Sequence, residues 1–407
     1  MSEPRRIVVI GAGLAGASAA GALRERGYEG DVLLIGAEQH RPYELPPLSK
    51  GVLLGSTDEP DWVHGEDFYA EKDIRFTRGV TATRIELGAR LVLDDAGGEH
   101  RYDRLVLATG SQPRTLPIPG ADLPGVHTLR TIDDSLALRS AFDKAQRVVV
   151  IGAGWIGTEA AAAARAHDAE VTVVDKITAP LGGVLGAEVA GVFRDLHTEH
   201  GVRWRLGEGI AEITGGPDGV TGVRLSNGDE VGADVVLIAV GVAPRVELAH
   251  AAGLEIADDG GVAVDAGLRT AAPDVYAVGD IAAHFHPRYG HRIRVEHWAN
   301  AKGQGAHVAG NLLGENEPYL DSPYFFTDQY DLGCEYRGLA DPVTDELVVR
   351  GDLAAREFIA FWLREGRVAA AMNVNAWDDG DALDALVRAR ATVTPDQLKS
   401  DDLAGLA

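Results

Sequence analysis

The chain has 407 residues, 45% of them apolar, and 62 acidic against 38 basic side chains, for a formal net charge of −24. That length accommodates two or three domains, and the acidic balance argues against nucleic acid or an anionic membrane surface as a partner, since both reward clustered Lys and Arg. A single cysteine, Cys334, excludes an internal disulfide, a CxxC redox pair, a thiolate zinc site and an internal iron–sulfur cluster, and fits a reducing cytoplasm.

The chain begins with "RRIVVIGAGLAGASAAGALRERGYEGDVLLIG", which reads strand, tight turn, helix, strand. Ile7–Leu23 is uncharged and follows Arg5 and Arg6, the outline of a signal peptide, but its glycine pattern accounts for it better and the protein is read as unexported. Ile7 to Ile10 is a short apolar run suited to a buried parallel strand. Gly11, Gly13 and Gly16 form GxGxxG: the first glycine for the tight turn, the second for close approach to a pyrophosphate, the third for helix–strand contact. Glu38 follows the second strand, where a carboxylate accepts hydrogen bonds from a ribose. "RYDRLVLATGSQPR" is a further strand ending in Ala108, Thr109 and Gly110.

The first unit then recurs as "RVVVIGAGWIGTEAAAAARAHDAEVTVVDK", with Gly152, Gly154 and Gly157 and its own acid, Asp175. This is a repeated βαβ unit, and two complete copies imply two dinucleotides. "ADVVLIAVGVAPR" is another buried strand that ends in glycine, with Gly241 just past it. "DVYAVGDIAAHF" ends at Gly279 and Asp280; the aspartate is either a loop or N-cap residue or a group that holds a flavin ribityl hydroxyl. "EHWANAKGQGAHVAGNLL" predicts a helix with Trp298 in its first turn. From Pro323 the pattern changes to alternating runs split by turn residues, which predict antiparallel strands, then a helix over about Asp379 to Arg390 and a polar tail. The thirteen histidines carry no HExxH motif, and no metal site is expected. Cys334 reads as a small buried hydrophobe.

The motifs "GAGLAG", "LPPLSK", "YDRLVLATG", "LRTIDD", "VVVIGAGWIGTEAA", "VYAVGDIAAHF", "RVEHWANA" and "FFTDQYD" occur in an order and spacing that resembles the FAD-dependent NADH:ferredoxin reductases of the putidaredoxin reductase type, across essentially the whole chain. The resemblance implies an α/β fold of two Rossmann-like dinucleotide-binding domains, glutathione-reductase-like, plus a C-terminal α+β domain. It places FAD on residues 1 to 112 and 243 to 322, NADH on 113 to 242, and the C-terminal domain at 323 to 407.

Residue by residue, the resemblance puts Leu14 and Ala15 in the FAD pyrophosphate turn. It sets Glu38, or its neighbour Ala37, by the adenosine ribose, Val80 along the adenine, and Lys50 toward the flavin ring. Ala108, Thr109, Gly110, Arg130, Gly279, Asp280, Glu296, His297 and Trp298 attend the rest of FAD. Gly152, Gly154, Trp155, Ile156, Gly157, Asp175 and Gly241 attend NADH, with Asp175 facing the ribose. Glu159 sits near flavin N5 and the nicotinamide, and pairs with Lys50; on its own it would only favour a helix dipole. Trp155 is either packing or a gate over the nicotinamide pocket. Two departures weaken the flavin-face detail: Tyr324 and Phe326 replace indoles of many relatives, and Leu45 stands where some have Arg.

Disulfide-reducing flavoenzymes carry a cysteine pair where this chain has Pro46, Pro47, Leu48, Ser49 and Lys50. Two-electron reduction by NADH followed by one-electron exit suits a one-electron carrier such as a 2Fe–2S ferredoxin, which must be a separate protein, and the resemblance implies one that serves a cytochrome P450 or other oxygenase. An acidic ferredoxin and an acidic reductase need a local positive patch; His284 to Val295, with Arg288, Arg292 and Arg294 and no acid, is the expected docking segment. The protein is expected to be cytoplasmic, a monomer or weak homodimer, without nucleic acid or membrane. An NADH oxidase or peroxidase would need a catalytic cysteine in the first domain, and a regulator resembling apoptosis-inducing factor finds little support in the short polar C-terminus and acidic charge.

Overall fold

The computed structural model describes residues 4–400 and 402–406. The chain falls into two compact units: residues 1–44, 61–112 and 242–323 form the first, and 45–60, 113–241 and 324–407 the second.

The first unit is built on a five-stranded parallel sheet in the order Val275–Ala277, Arg104–Leu107, Arg6–Ile10, Asp31–Gly36, Ile74–Arg78. Its central strands are apolar throughout because helices cover both faces of a parallel sheet; Ile7, Val8, Val9, Leu33, Leu34, Leu105 and Val106 have no exposed surface. The helix Leu14–Glu25 lies against the helix Trp298–Leu313. Gly305 makes that approach possible, since a Cβ there would stand 2.3 Å from the Ala15 carbonyl oxygen.

The second unit repeats this sheet: Arg203–Leu206, Glu170–Asp175, Arg147–Ile151, Val235–Ile238, Val126–His127, all parallel. The repeat runs further than the βαβ motif. In both units an antiparallel three-stranded meander follows the edge strand of the parallel sheet and precedes the next parallel strand: Ala82–Glu86, Leu91–Asp94 and Glu99–Arg101 between Ile74–Arg78 and Arg104–Leu107 in the first, and Ile210–Gly216, Gly219–Leu225 and Glu230–Gly232 between Arg203–Leu206 and Val235–Ile238 in the second.

The rest of the second unit is an antiparallel sheet ordered Tyr324–Gln329, Leu332–Gly338, Arg367–Val374, Glu357–Arg364, Glu346–Asp352. Its two central strands are buried on both faces, so their alternation divides apolar residues between two cores instead of core and solvent. Phe358, Ala360 and Trp362 pack with Leu185, Val189 and Phe193, whereas Ile359, Phe361 and Leu363 pack with Leu383, Leu386 and Val387. The helix expected over Asp379 to Arg390 is Gly380–Ala389. The expected polar tail is corrected: it forms the helix Pro395–Ser400 and a 3-10 turn at Leu403–Leu406, and Leu398 and Leu403 are buried in the second of those cores. Two apolar residues in a polar stretch suffice when both face inward, which composition hides.

Candidate functional site

Each glycine turn is closed by its own sheet. In the first unit Gly11 has φ +106, and a Cβ there would lie 2.1 Å from the carbonyl oxygen of Ala108 at the end of the neighbouring strand. A Cβ on Gly16 would lie 1.9 Å from the oxygen of Gly11, while one on Gly13 would meet nothing within 4 Å. The turn is therefore welded to helix and strand at two points and open at the third, the shape a pyrophosphate needs over a helix N-terminus. The second unit reproduces it: Gly152 against Ala239 oxygen at 2.2 Å, Gly157 against Gly152 oxygen at 2.0 Å, and open space at Gly154. Both turns thus fit a dinucleotide. Ala239 is the counterpart of Ala108, and the sequence repeats the Ala-x-Gly strand end at 108–110 and 239–241.

Around the first turn, Gly36 oxygen accepts from Val80 N–H at 3.0 Å and Glu38 oxygen from Gly79 N–H at 2.9 Å, so the acid-bearing loop and Val80 are joined. The Glu38 carboxylate accepts from the Tyr43 hydroxyl at 2.6 Å. Ala37 is exposed beside it. Leu14 and Ala15 are buried. The Thr109 hydroxyl donates to Arg245 oxygen at 2.7 Å, and Gly110 oxygen accepts from Arg245 N–H. Gly279, with φ +75, donates its N–H to Gln304 at 2.9 Å, and Asp280 is 8% exposed. Buried Gln304 was invisible in the sequence, one polar residue in a helical run. Trp298 opens its helix as expected, under the Lys302 ammonium at 4.8 Å, with His297 as N-cap. Burial lowers the His297 pKa to about 4, so its ring is neutral. Glu296 pairs with Arg294.

That pair bears on the expected docking segment by engaging one of its three arginines. Arg294 is 12% exposed in its side chain and also donates to the oxygens of Asp259 and Asp280. Arg288 donates to Ser322 at 2.5 Å. Burial holds His284 neutral, its pKa lowered to about 4, and lowers that of His286 as well. The spacing of these two would suit a metal, but their Nε2 atoms face the backbone oxygens of Tyr319 and Asp321, and the described residues contain no cluster of three ligands. Positive charge at the surface of this segment rests on Arg292, which is exposed and paired across the strands with Phe285, itself 38% exposed.

In the second unit the Asp175 carboxylate accepts from Ala153 N–H at 2.7 Å and from Ile177 N–H at 3.1 Å, so it braces the glycine turn as well as ending its strand. Register makes the two acids non-equivalent. Ile10 pairs with Ile35 and Ile151 with Val174, so Asp175 matches Gly36 and Glu38 matches Ile177. Ile156, which matches buried Ala15, is 43% exposed. Trp155 packs against Phe325 at 4.6 Å and Phe193 at 5.7 Å between ring centroids. Gly241, with φ +92, accepts from Arg114 N–H. Arg130 lies at the mouth of the Ile132–Phe142 helix, where its N–H donates to the capping-box Asp134.

The densest polar cluster of the second unit surrounds Glu159, 5% exposed on the first turns of the helix Trp155–Ala166. Its Oε1 accepts from Lys50 Nζ at 2.6 Å and from the Thr327 hydroxyl at 2.5 Å, and its Oε2 from the Ser49 hydroxyl at 2.5 Å. A carboxylate this buried stands only if paired and fully hydrogen-bonded; deleting one partner of such a pair costs about 3–5 kcal/mol. Lys50 reaches it because Pro46 and Pro47 open a 3-10 turn, Pro46–Ser49, that ends at the lysine. The ammonium also lies 5.4 Å from the Phe326 ring centroid. The ion pair was legible from the motifs. Ser49 and Thr327 as its further donors were not, because hydroxyl residues in a loop and a strand carry no spacing signal. Tyr324 donates to Glu335 at 2.7 Å. Cys334 is buried and burial pushes its thiol pKa up, leaving it inert at neutral pH.

Two welded glycine turns, each at the head of its own parallel sheet, define a protein that holds two dinucleotides, extended by an antiparallel C-terminal sheet. Residues 5–305 match the pyridine nucleotide-disulphide oxidoreductase family and residues 324–406 the reductase C-terminal family, and the chain belongs to the former, in its ferredoxin reductase branch. It is 39% identical to the ferredoxin–NAD(+) reductase component of the anthranilate 1,2-dioxygenase system of Burkholderia cepacia, over 98% of either chain. The crystal structure of the ferredoxin reductase for the CYP199A2 system of Rhodopseudomonas palustris superposes with TM-score 0.95 at 38% identity, covering 99% of this chain and all of that one. The reductase in the covalent putidaredoxin reductase–putidaredoxin complex superposes with TM-score 0.93 at 34% identity, covering 98% and 96%.

Proposed function

We propose that this protein is an EC 1.18.1-type flavoprotein oxidoreductase that passes electrons from NADH through FAD to a separate 2Fe–2S ferredoxin serving a cytochrome P450 or another oxygenase. The observation that carries this reading is the coexistence of two dinucleotide turns with a single, buried cysteine: the chain offers places for two nucleotides and no thiol relay between them. The family relatives named above act with NAD(+), with a P450 system and with putidaredoxin. When bound in the first unit, FAD would supply the chemistry of a hydride acceptor for NADH and a one-electron donor for ferredoxin. NADH-dependent cytochrome c reduction with and without a purified 2Fe–2S ferredoxin tests the reading; turnover independent of ferredoxin would remove it.

In this reading the first unit holds FAD and residues 113 to 242 hold NADH. Gly11, Gly13, Leu14, Ala15 and Gly16 bind the FAD pyrophosphate, Glu38 the adenosine ribose and Asp280 the ribityl chain. Lys50 and Glu159 orient the reacting ends of the two cofactors, and Trp155 and Ile156 line the nicotinamide side. No described helix is long and apolar enough to cross a membrane. The proposal takes the protein as cytoplasmic, where a lone reduced cysteine is at home, and as a monomer or weak homodimer.

NADH should be preferred over NADPH, because the Asp175 carboxylate accepts from a 2′-hydroxyl and repels a 2′-phosphate. The kcat/KM for NADH should exceed that for NADPH by at least about tenfold; equal values sink the assignment. Asp175→Ala should narrow the gap and also weaken NADH itself, since Ala153 N–H and Ile177 N–H lose their acceptor.

Ferredoxin is proposed to dock at the exposed Arg292–Phe285 pair, with Arg288 adjoining and Arg294 holding the segment in place. Arg292→Glu should raise the ferredoxin KM several-fold and flatten its salt dependence, while NADH-driven ferricyanide reduction stays as in the wild type. Unchanged ferredoxin turnover would move the exit elsewhere, first to Arg337, Arg388 and Arg390.

A further inference from the structure

The donors around Glu159 continue inward. Gln329 Nε2 donates to the Thr327 hydroxyl at 3.2 Å and to the Thr158 hydroxyl at 3.1 Å, and Gln329 Oε1 pairs with His197 Nε2 at 2.7 Å. All four side chains are buried, none more than 1% exposed. Thr158 Oγ1 donates in turn to the carbonyl oxygens of Gly154 and Trp155, at 3.1 and 3.0 Å.

Counting protons fixes the direction of this chain. The Thr158 hydroxyl has one proton and gives it to the backbone; the Thr327 hydroxyl has one proton and gives it to Glu159. Both hydroxyl oxygens then need donors, and the Gln329 amide has two N–H groups for the two of them. Its carbonyl is left to accept, which requires His197 to carry its proton on Nε2. Burial lowers the His197 pKa to about 4, so the ring is neutral with one proton. Its Nδ1 is buried without a hydrogen-bond partner among the described residues, as the unprotonated nitrogen of this tautomer would be. If the proton sat on Nδ1, the Gln329 amide would turn over, its oxygen would face the two hydroxyls, and the Thr327 proton would be drawn off Glu159.

We propose that His197, Gln329 and Thr327 form a one-way donor chain that sets the Glu159 carboxylate for the hydride step, which makes Thr327 a positioning residue that acts through Glu159. This rests on the reading of Glu159 given above. The three residues come from the Gly182–Glu199 helix and the first strand of the C-terminal sheet, so that strand reaches Glu159 through the Thr327 hydrogen bond, beside the Phe326 ring contact with Lys50.

The test compares three holoenzyme variants in stopped-flow reduction by NADH, steady-state NADH kinetics and the visible absorption of bound FAD. Thr327→Val keeps the shape and deletes the donor; it should slow flavin reduction at least about tenfold, the lower end of what one hydrogen bond to a charged group is worth, with the NADH KM within about twofold of the wild type and a shifted flavin band. Gln329→Glu keeps the volume but cannot donate to Thr327 and competes for its proton; it should give the same phenotype. Thr327→Ser restores the hydroxyl and should restore rate and spectrum. The inference is overturned if Thr327→Val reduces at the wild-type rate with the wild-type spectrum, or if Thr327→Ser is as slow as valine, which would make the effect packing. Glu159→Gln run alongside separates the two levels: unchanged reduction there overturns the role of Glu159 and this inference with it, whereas a slow Glu159→Gln beside a normal Thr327→Val overturns the donor chain alone.

Discussion

Glu159→Gln should remain yellow and folded, and yet be reduced by NADH about 100-fold more slowly than the wild type, the scale of loss that follows when a reacting geometry is displaced by an ångström or so. The amide keeps the size of the carboxylate but not its pattern. Three donors converge on two carboxylate oxygens, from Lys50, Thr327 and Ser49. Glutamine has one oxygen to offer them and turns N–H groups toward at least one hydroxyl or the ammonium. The Lys50 head then has to leave its place. FAD content, read from the absorbance ratio of purified protein, should not fall, since the glycine turn at Gly11 to Gly16 belongs to the other unit. Wild-type reduction kinetics with an unaltered flavin spectrum would remove Glu159 from the hydride step.

Substituting the third glycine of each turn should separate the two nucleotides. Gly16→Ala drives a methyl to 1.9 Å from the Gly11 oxygen and Gly157→Ala one to 2.0 Å from the Gly152 oxygen, distances no side-chain adjustment relieves because both neighbours are backbone. Gly16→Ala should purify without flavin. Gly157→Ala should purify with flavin and bind NADH at least about 100-fold more weakly, as helix and strand are forced apart beneath the phosphates. Calorimetric titration of NAD(+) together with flavin content reads both. A Gly157→Ala protein that lost its FAD but kept its NADH affinity would reverse the assignment of the two turns.

The parts of this structure that repeat or alternate could be read from the residues. The paired GxGxxG turns, the strands on either side and the antiparallel C-terminal sheet announce themselves by spacing, because backbone geometry leaves few residue types free at those positions. The Lys50–Glu159 contact came from motif order. Contacts between singletons stayed hidden. Ser49 and Thr327 meet Glu159, and Gln329 and His197 stand behind Thr327, only because distant stretches of chain converge, and nothing local distinguishes a buried threonine from an exposed one. The expected docking segment hides a different kind of detail: Arg288, Arg292 and Arg294 look alike in sequence, but a glutamate two residues on pairs with Arg294 and a serine from another loop accepts from Arg288. The meanders were missed in both units for one reason, since short strands of mixed polarity between turns resemble loop.

The parallel sheet of the first unit is assembled from strands at both ends of a long stretch of chain, with Val275–Ala277 pairing beside Arg104–Leu107, and the second unit takes residues as early as Leu45 and as late as the closing helix. Neither can be completed on the ribosome from N-terminal sequence alone. At roughly 5–20 residues per second, the strand Arg6–Ile10 waits on the order of tens of seconds for the last member of its sheet, with apolar faces already extruded. Synthesis of this protein should therefore lean on chaperones that shield nascent chains, and truncation at any of the unit crossings should give fragments that aggregate, not a separable NADH-binding or FAD-binding module.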